Sequence, residues 1–181
     1  MLVLVPLVIL AGLLLGKLAG GRISHIGSVR IRFWPLIVLA LAIQFLIFLP
    51  FFQWPQIVIA ILYLLSMGLL FVFALLSFRL PGMVIILLGL LLNLLAISFN
   101  GGFMPADAEA YAGVGKVSTA TALQENQVYN NLRLMTDQTK LNGLGDRIPL
   151  PFPWGLGSVI SAGDIVLLVG LLVLMIFLQL G

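Results

Sequence analysis

Five stretches of mostly apolar residues, 2–18, 35–52, 55–78, 81–99 and 162–180, leave this chain few ways to fold. About 20 such residues are what a helix needs to cross the hydrocarbon of a bilayer. Inside lipid no water meets the backbone N–H and C=O groups, so each stretch must satisfy them within itself, as a helix does. Composition points the same way: 62% of the 181 residues are hydrophobic and 8% are charged, against roughly half and about a quarter in a soluble domain. A water-soluble monomer is excluded. The expected fold class is all-α, a polytopic membrane protein with five transmembrane helices and an extracytoplasmic cap. Its parts are a four-helix bundle over residues 1–99, the cap over 100–161, and a fifth helix over 162–181 packing on the bundle. A polar stretch that long between two spans far exceeds an ordinary connection, so function is sought there first.

The charges orient the spans. Lys17, Arg22, Arg30, Arg32 and Arg79 precede residue 100, where there is no acid, and all six acids follow it. Basic residues favour the cytoplasmic side, which puts the first and third connections inside. The N-terminus and the polar segment are then outside and the C-terminus is cytoplasmic. Trp34, Trp54 and Trp154 fall at span ends, as an interfacial aromatic belt expects. Arg22, Arg30 and Arg32 form a juxtamembrane patch suited to anionic lipid headgroups. The first span has its basic residues after the apolar run, so it reads as an uncleaved helix rather than a signal peptide. Cys is absent and His25 is the single histidine. Disulfides, a thiolate nucleophile and Cys-ligated or His-rich metal centres are thereby excluded, and no metal or cofactor is expected. Nucleic acid is excluded as a partner, since binding it needs more basic residues and a soluble reading surface.

Two patterns mark the spans. Gly12, Gly16 and Gly20 repeat every four residues, a spacing that lets another helix approach the backbone closely. Packing within the chain is the plainer reading; a seat for a membrane-protein partner is the other. On the fourth span Gly82, Gly89, Asn93, Ala96 and Asn100 share one small, polar face. Amides facing lipid tails are costly, so this face should look into the bundle, toward Gln44 of the second span or Tyr63 and Ser66 of the third. Asn93, Gly89 and Gln44 then serve as packing contacts or as the wall of a ligand pocket beneath the cap.

In the outer segment Asn100-Gly101-Gly102 reads as a helix stop. Pro105 should open a short helix with Asp107 and Glu109 near its N-terminus. Leu123, Val128, Leu132 and Met135 predict an amphipathic helix within residues 118–140, the alternative for this Thr-, Gln- and Asn-rich stretch being a partly disordered polar loop. The alternating prolines of 148–154 enforce an extended run whose Ile148, Leu150, Phe152 and Trp154 need cover. That run brings Asp146 and Arg147 to the outer mouth, where Asp164 opens the fifth span. Ser161 and Asp164 have the spacing of a capping box. The functional alternative pairs Asp164 with Asp146 as two carboxylates sharing a proton, one acting as base toward water and the other as acid. Asp146-Arg147 has its own local reading, a turn with an ion pair.

The four N-terminal spans, Asn100-Gly-Gly-Phe-Met-Pro105, Leu144-Gly-Asp-Arg-Ile-Pro149 and Ser161-Ala-Gly-Asp-Ile-Val166 together resemble an uncharacterised family of small bacterial membrane proteins. The resemblance covers most of the chain and implies a bacterial cell inner membrane and the five-span layout, with no reaction attached. The chain is also similar, in shorter motifs, to lipoprotein signal peptidase, an intramembrane aspartyl protease. Asn100-Gly-Gly-Phe103 shortens that family's first motif, Asn142 to Arg147 matches the second with one extra residue, and Asp164 with Gly170 looks like the third. This likeness implies an Asp146/Asp164 dyad with Asn100 or Arg147 holding a peptide. The chain departs from the pattern in having no apolar span before Asp146.

Three functional classes follow. The first is an interaction or scaffold subunit, using Gly12, Gly16, Gly20 and the cap to hold partners. The second is an aspartyl hydrolase at the outer leaflet. The third is a lipid- or small-ligand-binding protein with its pocket between the polar face of the fourth span and the cap. With no unambiguous catalytic set, the interaction subunit stands first.

Overall fold

The computed structural model describes residues 3–28, 31–49, 54–153 and 156–181; Arg30, Trp154 and the expected span ends at Leu2 and Phe52 lie outside them. The chain is mostly helical, and five long helices occupy the apolar stretches: α1 (Leu4–Leu18), α3 (Trp34–Ile47), α4 (Gln56–Leu76), α5 (Met83–Phe99) and α8 (Ala162–Leu180). A short helix, α2 (Ile23–Ser28), which the sequence reading does not foresee, sits in the first connection. Of the long helices, α4 and α8 are long and apolar enough to cross a membrane, and α1, α3 and α5 are apolar but shorter. Large apolar side chains line their outer faces, with Leu14 65%, Phe45 69% and Ile57 66% exposed.

Glycines set the helix pairing. On α5 and α8 they interlock: Gly89 lies against Gly163 and Leu167, and Gly82 against Gly170 and Leu174, so these helices are antiparallel. A Cβ at Gly89 would sit 2.6 Å from the Leu167 nitrogen and 2.7 Å from the Gly163 oxygen. Only glycine permits that approach. Gly12 faces Leu172 and Met175 while Gly16 faces Gln179, so α1 and α8 run parallel. Gly20 is not part of this seam: it has φ +88 beyond the end of α1 and nothing near it, and Gly21 packs on Gln179 in its place. Between α3 and α4 the Gln44 amide donates to Ser66 Oγ at 3.2 Å.

Beneath the polar segment the ends of these helices meet. Gly102 packs on Ala60 near the start of α4, and Gly163 at the start of α8 packs on Asn93 in α5. Lys17 lies in the last turn of α1, and the Arg22 N–H donates to the Gln179 carbonyl at 2.8 Å near the end of α8. The basic connections therefore adjoin the helix ends remote from residues 100–161.

The polar segment corrects three expectations. It is not all-α: helices α6 (Ala108–Gly113) and α7 (Val117–Asn126) accompany strands β1 (Met104–Ala106), β2 (Val128–Tyr129), β3 (Leu132–Leu134), β4 (Ile148–Leu150) and β5 (Ser158–Ile160). The apolar spacing read as one helix across 118–140 spans the end of α7 and a hairpin. Gln127 takes a left-handed conformation that stops α7, and Asn130, also left-handed at φ 53, turns the chain between β2 and β3. Asparagine tolerates that conformation, and a two-residue hairpin demands it. β3 also pairs in parallel with β1, Pro105 facing Arg133. Pro105 thus lies in a strand rather than opening a helix. The helix starts three residues later, at Ala108, capped by Asp107, whose Oδ1 accepts from the Glu109 N–H at 2.9 Å. The extended run appears as β4, antiparallel to β5 with Ile148 opposite Ile160. One apolar cluster, including Met67, Ala96, Met104, Tyr111 and Leu123, joins these layers to the long helices.

Candidate functional site

Asp146 is positioned by backbone. Its N–H donates to the Pro105 carbonyl at 2.8 Å and its carbonyl accepts from the Asp107 N–H at 2.9 Å, which pins it beside β1. Gly145 makes this possible, since a Cβ there would lie 2.5 Å from the Pro105 oxygen. The Asp146 carboxylate then turns inward, and Tyr111 of α6 donates its hydroxyl to Oδ2 at 2.9 Å.

Asp164 forms the capping box. Ser161 Oγ accepts from the Asp164 N–H at 2.9 Å, and Asp164 Oδ2 accepts from the Ser161 N–H at 3.2 Å. Asn93 completes the arrangement from α5, donating to Asp164 Oδ1 at 2.8 Å and accepting from the Ser161 hydroxyl at 2.9 Å. Every polar atom of this buried group has a partner, which locks α5 to the start of α8. The Asn93 amide of this polar face is therefore bonded to the start of α8, while Gln44 bonds to Ser66.

Both carboxylates line one cleft of about 360 Å³ between the long helices and the polar segment. Asn93, Asp164 and Tyr111 are its buried side, while Tyr129 and Asn130 are exposed at its edge. Gln44 and Tyr63 line it from the bundle, Lys116 and Thr119 from α6–α7. Burial pushes the Asp146 carboxyl up from 3.8 to about 7, with the charge of Asp164 adding to the rise and the Tyr111 hydrogen bond opposing it. Burial and then Asp146 push the Tyr111 phenol further up, so it stays a hydrogen-bond donor. Strongly shifted groups converging on a cleft are a signature of functional sites.

Not every expected site residue belongs here. Asn100 is taken up by backbone: its amide donates to the Lys140 carbonyl at 2.7 Å and its oxygen accepts from the Lys140 N–H at 2.9 Å, latching the 136–145 loop to the end of α5. Arg147 is exposed and does not line the cleft. Gly89 serves the α5–α8 contact. The peptide-holding role that the peptidase likeness gives to Asn100 or Arg147 thus has no seat in the cleft. Conversely, Tyr111, Lys116, Thr119, Tyr129, Asn130 and Asn131 line it and were not singled out as site residues. Their sequence signal was slight, a Tyr and a Lys around the Gly113-Val-Gly115 turn and a Tyr-Asn-Asn hairpin tip. Among the described residues no group of three or more His, Cys, Asp or Glu is arranged to hold a metal ion.

No curated protein and no solved structure matches the chain. The peptidase likeness accordingly stands on its short motifs alone, whereas the likeness to an uncharacterised family extends over most of the sequence. The profile of one such family matches residues 28–176, and the chain belongs to it: the family of unknown function DUF5317.

Proposed function

We infer that this is a multi-pass protein of the cell membrane, crossing five times with its N-terminus outside, whose outer cleft binds a small polar ligand. The carrying observation is the convergence of Asp146, Asp164, Asn93, Gln44 and three tyrosines on one cleft. Ligand sites are concave, with a few convergent polar groups and shifted pKa values, and they form where elements join. Support for five crossings comes from the antiparallel α5–α8 and parallel α1–α8 pairs, the apolar outer faces and the basic connections at the ends remote from the cleft. A soluble monomer rarely exposes apolar patches beyond a few hundred Å². The scaffold reading ranks lower here, because α8 lies against Gly12 and Gly16, the seam it offered to a partner.

Native mass spectrometry of the chain, extracted from its own membranes in mild detergent, tests this reading. The wild type should carry a small-molecule adduct that Thr119→Trp, which fills the cleft, lacks. Bare chain in both, with unfolding temperatures unmoved by a total membrane extract, would end it.

The second reading is hydrolysis by an Asp146/Asp164 dyad, favoured by their shared cleft and the neutral-range Asp146 carboxyl. It ranks second because both Asp164 oxygens already accept N–H groups. It requires cleavage of membrane-anchored peptides that Asp164→Asn abolishes, and an intact peptide pool in both samples would dismiss it.

A further inference from the structure

We propose that the ligand enters this cleft by a cationic ammonium group, held between the Asp146 and Asp164 carboxylates and the faces of the tyrosine rings. This rests on the ligand-binding reading above and names the chemistry of the ligand. The chain has three tyrosines, Tyr63, Tyr111 and Tyr129, and all of them line the cleft, as do two of its six acids. Aromatic faces attract cations through the ring quadrupole, and nearby carboxylates add charge. The remaining polar lining, including Gln44, Asn93, Thr119 and Asn131, is neutral. Among the described residues Lys116 is the one Lys or Arg on the wall, against two carboxylates, which makes the cleft a poor receiver of an anion.

A second observation points to a cation independently of the acids. The ammonium of Lys116 already lies 5.9 Å from the centroid of the Tyr111 ring. The protein's own amine thus occupies the kind of position that a ligand amine would take. Lys116 is partly exposed and sits on the turn that starts α7, so its flexible stem can swing aside as a ligand enters. Its charge then acts as a competitor, whereas those of Asp146 and Asp164 attract. Opposite effects at the two kinds of residue are therefore expected, which a merely structural role for either would not produce. Binding should also strengthen as pH rises through neutrality, because a cation favours the ionised Asp146. Among the described residues, the other titratable groups facing that carboxylate are Asp164 from α8, Tyr63 from α4, Tyr111 from α6 and Lys116.

Two sources share this chemistry, the headgroup of an aminophospholipid and a free amine in solution. The full chain in phosphatidylglycerol nanodiscs is titrated with choline, ethanolamine and 3,3-dimethylbutan-1-ol, an uncharged analogue of choline, at constant ionic strength. In parallel, nanodiscs containing phosphatidylethanolamine are analysed by native mass spectrometry for retained lipid. Saturable binding of an amine identifies the free source, and retained phosphatidylethanolamine the lipid source. In either case the uncharged alcohol should not bind, Asp146→Asn should weaken binding about tenfold, and Lys116→Gln should tighten it. Equal binding of the alcohol, weaker binding in Lys116→Gln, or neither amine nor aminophospholipid held would overturn the proposal. An adduct from native membranes that carries no ammonium group would overturn it too, while leaving the cleft as a ligand site; absence of any adduct, with unfolding temperatures unmoved by the membrane extract, removes both.

Discussion

Asp146 shows how much one residue's setting decides. Burial pushes its carboxyl up to about 7 in the folded chain, from 3.8 ordinarily. Between those values the folded chain holds a proton that the unfolded chain has released, so this group's contribution to stability falls as pH rises through that window. Below it the group is neutral in both states, and above it the full penalty of the buried charge applies. Asp146→Asn should therefore unfold at a higher temperature than wild type at about pH 8, the gap closing toward about pH 4. Parallel melting curves across that range would show that burial does not set this pKa. The two aspartates were visible in the sequence, as was the capping box at Ser161 and Asp164. Tyr111 was not, because nothing in its neighbours announces that the Asp107-capped α6 will aim its hydroxyl at a carboxylate 35 residues away. Asn100 and Arg147 attracted attention by motif, and local geometry assigns them to a backbone latch and an exposed edge.

At the scale of elements, the apolar stretches located the five long helices because helical period and length are local properties. The helix-to-helix contacts had to be found in space. Gly82 and Gly89 on α5 meet Gly163 and Gly170 on α8 with no room for a methyl group. Gly89→Leu should destabilise the chain by about 1–3 kcal/mol through overpacking, lowering its unfolding temperature by roughly 2–4 °C per kcal/mol. Gly27→Ala is the contrast, since nothing lies within 4 Å of the added atom. Melting of the purified variants checks the pair, and equal curves would mean that α5 and α8 do not approach this closely. The hairpin at Tyr129-Asn130-Asn131-Leu132 was misread for a definite reason. Leu123, Val128, Leu132 and Met135 keep a near-helical spacing by coincidence, and the turn that breaks it depends on left-handed Gln127 and Asn130, which sequence periodicity does not weigh.

For the whole molecule, the proposed topology has a direct check. The chain contains no cysteine, so single-cysteine variants report one position each. A membrane-impermeant maleimide should label Gln138→Cys on intact cells and Ser28→Cys only after permeabilisation; the reverse pattern would invert the orientation and place the cleft in the cytoplasm. The sequence alone determined where the long helices lie, which segment is polar, and which connections are basic, because hydropathy and charge act residue by residue along the chain. Only the tertiary structure decided that Asp146, carried on a strand edge, and Asp164, at a helix start, line the same cleft as all three tyrosines. That convergence depends on close approaches at Gly145, Gly89 and Gly163, where the absence of a side chain matters only once a second backbone arrives beside it.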